Sequence, residues 1–222
     1  MAEFSRFLLV VSLAVIGVTA CSDDSAEIAE VSFASSSDDN RYTSELFGVS
    51  VVKPDGWYAS EVELADQLME TGRDFIAGDD DNLRALLDAS TQNTFNIFGF
   101  YNYEVGAPVE VNPNILAVAE RVKLMPGIKT GADYLFHSKT FLQGTAMEIS
   151  FSEEKLQKDV DGHLFDGMQM TSTVPVVGEV QQRMYAARNG DFAIAFVLTY
   201  RSAEQLDALE GILDTVRLDW EK

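Results

Sequence analysis

Residues 192–200 read FAIAFVLTY, with Phe192, Ile194, Phe196, Leu198 and Tyr200 alternating with Ala193, Ala195, Val197 and Thr199. A period of two places these sets on opposite faces of one strand. The large side chains take one face and the small ones the other. Neither face suits water, so the strand is expected in a sheet covered on both sides. Just before it, Asn189-Gly190 gives a hairpin signal at the end of VQQRMYAARNG. Just after it, Ser202 and Gln205 have the spacing of a capping box. Leu206, Leu209, Leu213 and Val216 then form the apolar stripe of a closing helix.

The same signals extend toward the N-terminus. LFGVSVVKPDGWYAS predicts a short strand, a turn at Pro54-Asp55-Gly56 and a second strand. Ser60 and Glu63 form a second capping-box pattern, followed by Leu64, Leu68 and Phe75 at helical spacing. GDDDNLRALLDAS predicts another helical piece, with Asp79, Asp80 and Asp81 where the helix dipole favours carboxylates. TFNIFGFYNYE and NILAVAERVKL are expected strands, joined by a loop containing Pro108 and Pro113. Thr130 and Asp133 mark a helix start, with Leu135, Ser138 and Leu142 on one stripe. TAMEISFSE and HLFDGMQMTSTV complete the strands. The predicted order is ββα(α)ββαββββα, without an internal repeat. It implies an α+β fold, a mostly antiparallel sheet flanked by helices.

At 222 residues the chain is long enough for one domain plus accessory segments. An apolar fraction of 46% supplies a core. With 16 basic and 36 acidic residues, the formal charge is -20. Such a surface repels phosphate backbones and anionic headgroups, which argues against nucleic-acid binding and against a domain lying flat on lipid. The charge serves solubility, including in a salty habitat; the alternative is an acidic surface matched to a basic partner or to cations. A single cysteine excludes an internal disulfide and any zinc site built on two thiolates.

That cysteine, Cys21, stands at a boundary. Arg6 precedes an apolar run from Phe7 to Ala20, and a Ser/Asp/Glu-rich stretch follows. A helix of the run would measure about 21 Å at about 1.5 Å per residue. That is short against a hydrocarbon core of roughly 30 Å, but it suits a signal-peptide core. Val18-Thr19-Ala20-Cys21 resembles the bacterial lipobox. The resemblance implies a diacylglyceryl thioether on Cys21, cleavage before it and acylation of the new terminus. Glu3 departs from the usual positive leader, and an ordinary signal peptide with an incidental cysteine is the alternative. Ser22 is not aspartate, which by resemblance to the enteric sorting rule favours the outer membrane, facing the periplasm. The expected organisation is a signal peptide over 1–20, a lipidated, disordered acidic tether over 21–41 and a folded domain over 42–222. Twenty flexible residues would span roughly 25 Å at about 5–6 Å × √n.

From Tyr42 to Trp220 the chain also resembles the PsbP-like superfamily, whose bacterial members include lipoproteins of the DcrB type. GVSVVKPDGW, NPNILAVAERV and AEQLDALEGILDTVRLDW carry the likeness, mainly through their order. It implies an α/β/α sandwich and a binding or accessory role. It supplies no catalytic residues to carry over.

Candidate sites are few. His137 and His163 are the only histidines. His137 lies mid-helix, and its i+4 neighbour is Phe141, so no helical ligand pair forms. Asp159, Asp161, His163 and Asp166 cluster in sequence as a weak cation loop, without EF-hand spacing. Asp161-Gly162 is equally the tip of a hairpin. No G-x-S-x-G, Walker or G-x-G-x-x-G pattern occurs. Trp57, Tyr58, Phe95, Phe98, Phe100, Tyr101 and Tyr103 form either core or an apolar groove. The expectation is a non-enzymatic lipoprotein without a cofactor that binds an envelope protein partner. The alternatives are a small-ligand or divalent-cation binder and, behind it, a hydrolytic enzyme.

Overall fold

A computed structural model describes residues 34–36, 40–60, 76–77, 79–91, 93–145, 147–174 and 177–221. Its strands are β1 (Ser35–Ser36), β2 (Arg41–Ser44), β3 (Val49–Val52), β4 (Tyr58–Ala59), β5 (Thr94–Tyr101), β6 (Asn114–Arg121), β7 (Ile149–Phe151), β8 (Leu156–Val160), β9 (His163–Val174), β10 (Gly178–Asn189), β11 (Phe192–Tyr200) and β12 (Arg217–Leu218). The helices with described bounds are α1 (Asp81–Thr91), α2 (Gly131–Gln143) and α3 (Ala203–Leu213).

The stretch from Phe192 to Tyr200 is a central strand. The larger sheet runs β4-β5-β6-β11-β10-β9-β7, and β8 shares the outer edge of β9 with β7. A second sheet runs β1-β2-β3-β12. Every described pairing is antiparallel. The fold is α+β, as the strand and helix patterns predict.

The two faces of β11 serve two cores. Ile194, Phe196, Leu198 and Tyr200 pack with Phe47, Val49 and Val51 of the small sheet and with Leu209, Ile212 and Leu213 of α3. Ala193, Ala195 and Val197 face the other way, with Leu87 of α1 and Tyr134, Leu135 and Leu142 of α2. Small residues on that side let α2 approach the sheet closely. The approach is tightest at Gly131, where an added Cβ would overlap the carbonyl oxygen of Ala186 on β10. Only glycine fits there.

Local capping fixes the helix starts. Thr130 Oγ1 accepts the Asp133 N–H while Asp133 accepts the Thr130 N–H, and Ser202 with Gln205 does the same for α3. Asp80 caps α1 by accepting from Asn82 N and Leu83 N at 2.9 and 3.0 Å.

Several details depart from expectation. The strand, turn and strand expected around Pro54-Asp55-Gly56 all form, but the two strands part company: β3 belongs to the small sheet and β4 to the large one. In the β10–β11 hairpin Asn189 pairs with Phe192, so the loop residues are Gly190 and Asp191, one position later than the Asn-Gly signal. Val216 is buried but lies beyond the end of α3. The strands β1, β2, β8 and β12 go beyond the predicted order. Pairing begins at Ser35, upstream of Tyr42. The predicted helix of Glu63, Leu64, Leu68 and Phe75 lies outside the described residues, as do the leader and Cys21.

Candidate functional site

The four-residue cation candidate is dispersed by the hairpin that joins β8 and β9. Asp161 and Gly162 are its tip, with φ of 53° and 84°. That pair of positive angles is the type I′ arrangement, for which Asp-Gly is suited. Asp159 Oδ1 accepts the Gly162 N–H at 3.0 Å and closes the turn. Asp161 Oδ2 accepts the Leu218 N–H at 2.8 Å, which ties β12 to the hairpin. Asp166 faces the helix layer, accepting the Ala132 N–H of α2 at 2.8 Å and Gln157 Nε2 at 3.1 Å. His163 packs edge-on against Trp220, with ring centroids 5.2 Å apart. Among the described residues no three His, Cys, Asp or Glu groups converge on a metal position.

Trp220 is the centre of this region. Its indole stacks on Phe165 at 5.7 Å, and its Nε1 donates to Phe47 O at 2.9 Å. With the Asp161 bond, it straps the C-terminal segment across both sheets. His163 Nε2 is buried with no hydrogen-bond partner among the described residues. His137 is exposed on α2, its ring against Phe136. The two imidazoles therefore sit in separate places, one in an aromatic contact and one at the surface.

The richest polar cluster joins α3 to the sheet. Glu210 Oε2 lies 2.9 Å from Lys158 Nζ, and Asp214 Oδ1 lies 2.7 Å from the same nitrogen. Glu210 Oε1 accepts from the Tyr185 hydroxyl at 2.7 Å and from the Arg183 guanidinium at 3.3 Å. Arg183 also donates to Gln169 Oε1 at 2.8 Å. Burial, then the hydrogen bond to Glu210 and its charge, push the Tyr185 hydroxyl up to about 12. Partial burial works against the Lys158 ammonium, but its bonds to Asp214 and Glu210 prevail and raise its pKa. Two cations and two anions balance here, and each has a partner within the cluster. The arrangement clamps a helix to the sheet.

A second carboxylate lies deep under α2. Glu120 is fully buried, and the Tyr134 hydroxyl donates to its Oε2 at 3.0 Å. Burial first, and the Glu120 charge second, raise the Tyr134 pKa well above its ordinary value.

The aromatic strand is core. Phe95, Phe98, Phe100 and Tyr101 are at most 5% exposed, and Phe98 stacks on Phe100 at 4.9 Å. Tyr58 and Tyr103 stand apart from them at the surface. A cleft of about 490 Å³ on the described surface is bounded by the β2–β3 turn and β12. Its polar lining comes from Thr43, Ser44, Glu45, Ser50, Arg217 and Asp219. No described helix is long and apolar enough to cross a membrane.

No protein-family model matches this sequence, and no curated protein matches it. Among solved structures, the chain is similar to the cyanobacterial PsbP (CyanoP) of Synechocystis, at 15% identity over 80% of this chain and 91% of that one, with a TM-score of 0.44. It is also similar to a protein of Bacteroides thetaiotaomicron, at 13% identity over 78% of this chain and 46% of that one, with a TM-score of 0.41. Both likenesses concern the chain trace and carry nothing about activity, partner or address.

Two features escape the sequence patterns. Glu120 shares the inward parity of Leu116 and Val118, so a carboxylate on an apolar stripe was its one signal. Lys158, Arg183, Tyr185 and Glu210 are ordinary residues of four separate stretches, and only packing brings them together.

Proposed function

We propose that this chain is a lipid-anchored, non-enzymatic binding module of a bacterial envelope, held through Cys21 and presenting its α+β domain to a protein partner. The carrying observation is Val18-Thr19-Ala20-Cys21, set between an apolar run of signal-peptide length and an acidic stretch. Two acyl chains suffice for lasting attachment, since each buried methylene contributes about 0.8 kcal/mol and one chain alone binds reversibly. Ser22 favours the periplasmic face of the outer membrane. The domain supports the reading through the use it makes of its polar groups. The Asp159–Asp166 set ties the hairpin to β12 and α2, and the Glu210 cluster fastens α3.

A small-ligand reading stands second, and the cleft between the β2–β3 turn and β12 favours it. Thermal-shift screening of small molecules and divalent cations separates the two. Stabilisation by a compound, lost in Arg217→Ala, supports the second reading. For the first, wild-type chain and Cys21→Ser are expressed in a bacterium fed labelled palmitate, then cross-linked and purified. The label and a reproducible envelope partner are expected in wild type, with both lost or much reduced in Cys21→Ser. Identical cross-linking profiles containing no envelope protein contradict the partner assignment.

A further inference from the structure

The loop from Val122 to Ile128 is pinned at every third residue. Met125 N donates to Val122 O at 2.9 Å and Ile128 N to Met125 O at 3.0 Å, two turns in succession. Val122 and Ile128 are buried in the core under α2, and Met125 packs against it. Leu124, between these pins, is 64% exposed. The loop lies beside α2, since a Cβ on Gly127 would come 3.5 Å from His137 Nε2. The outward residues of α2 include Ala132, Phe136, His137 and Thr140. Phe136 is 67% exposed, and with Leu124 it makes the two most exposed large apolar side chains among the described residues. The Thr140 hydroxyl is already engaged, donating to Phe136 O at 2.8 Å. The one carboxylate of the helix, Asp133, closes the capping box. The outward side of α2 thus carries little charge, where a charged or polar face is the norm.

The rim of this surface is opposite in sign to the molecule. From Arg121 to Lys139 four residues are basic and one is acidic, against 16 and 36 in the whole chain. Lys123 lies 2.9 Å from Asp191, and Lys139 lies 3.7 Å from the exposed carboxylate of Glu153. Solvated pairs of this kind hold weakly. Arg188 donates to Ile128 O at 2.9 Å and adds a guanidinium beside the loop. The charge of -20 opposes lipid contact only where the acids are near. Screening at physiological salt limits their range to about 8 Å. α2 lies over β9 and β10, whereas α1, with Asp80 and Asp81 at its start, lies over β5. Three strand spacings of about 4.8 Å separate β5 from β10. The small sheet lies behind the large one, about 10 Å further away.

We infer that the outward side of α2 and the Leu124 loop form a docking face for an anionic lipid surface. Leu124 and Phe136 enter the interface, and Lys123, Lys129 and Arg188 meet headgroup phosphates. Lysine stems lie along apolar material while their ammonium groups reach the polar layer. Two apolar side chains and a few cations make a weak contact, far smaller than the apolar face of a free interfacial helix. A tethered domain needs no more, because its second contact is intramolecular. The face rests on the Cys21 anchor proposed above for its nearness to lipid, and not for its chemistry.

A fluorophore on Thr140→Cys tests the face in the full chain, with Thr43→Cys on the small sheet as control. Each chain is placed in vesicles of phosphatidylcholine alone or of equal parts phosphatidylcholine and phosphatidylglycerol, both carrying nitroxide-labelled lipid. Quenching at position 140 is expected in the anionic vesicles, little in the zwitterionic ones, and none at position 43 in either. The docked-to-undocked ratio should fall on the order of 30-fold when Lys123→Gln and Lys129→Gln are combined. Leu124→Ser with Phe136→Ser should also lower it, and both pairs change exposed side chains, so the thermal midpoint should hold. Equal quenching in the two vesicle types, equal quenching at position 43, or lysine variants without effect would each overturn the inference. So would no quenching at position 140, and cross-links to an envelope protein lost in the lysine variants would then assign the face to a protein partner. Peptide mapping of the fluorophore reports the anchor separately, because an acylated Cys21 takes no label. If Cys21 is labelled, the same vesicles are added in excess to the unanchored chain. Quenching at position 140 that depends on phosphatidylglycerol then keeps the face without the anchor, and its absence overturns the face as well.

Discussion

Glu210 joins three elements through one carboxylate: its own helix α3, Lys158 on β8, and Tyr185 with Arg183 on β10. Hydrogen bonds involving a charged group are worth about 1.5–3 kcal/mol when partly sheltered, so Glu210→Ala should destabilise the domain by an amount of that order in urea unfolding. An unchanged midpoint would show that the cluster is solvated. Tyr185 adds a pH signature. Its hydroxyl titrates higher in the folded chain, about 12, than in the unfolded one, about 10. The folded state therefore holds the proton longer, and this contribution is complete below about pH 10 and lost as the pH rises toward 12. Lys158, also raised, acts in the same direction. Tyr185→Phe should flatten the decline of stability over that alkaline window; an unaltered slope would assign the decline to other groups, such as Tyr134. None of this was visible beforehand, because a tyrosine and a glutamate 25 positions apart have no local signal.

Helices and strands differ in how openly their sequences declare them. The capping boxes at Thr130–Asp133 and Ser202–Gln205 were legible because donor and acceptor lie three residues apart. Thr130→Ala should cost about 1 kcal/mol, read from the urea midpoint. The two-faced β11 was legible because its alternation is strict over nine residues. Truncating its large face hurts more: Phe196→Ala should cost about 3–5 kcal/mol, and a loss under about 1 kcal/mol would mean that the small sheet and α3 do not close over it. The small face has a different limit. Gly131→Ala forces a methyl against the Ala186 carbonyl and should destabilise by about 1–3 kcal/mol as α2 moves outward. The two-residue strands β1 and β12 were not legible, since a period of two cannot be read from two residues. Their identity comes from partners, Thr43 and Tyr42 for β1, Ser50 and Val49 for β12. The Pro54-Asp55-Gly56 signal was a true turn, but a turn does not state which sheet its second arm joins.

At the scale of the molecule, a charge of -20 works against a folded chain through self-repulsion. Added salt screens such repulsion, so the Tm should rise between low and moderate sodium chloride. A flat or falling Tm would mean that local ion pairs such as Lys158–Glu210 outweigh the net charge. The division of labour along the chain is unequal in the same way. The domain's described polar groups hold elements together, whereas the most specific functional signal stands outside it, in four residues ending at Cys21. Intact-mass measurement of the chain purified from bacterial membranes tests that signal most directly. The account predicts a mature chain beginning at Cys21, heavier than its residues by a diacylglyceryl group and an amide-linked acyl chain, and a Cys21→Ser chain lacking both. A membrane-derived chain beginning at any other residue, or carrying Cys21 as a free thiol, would contradict it.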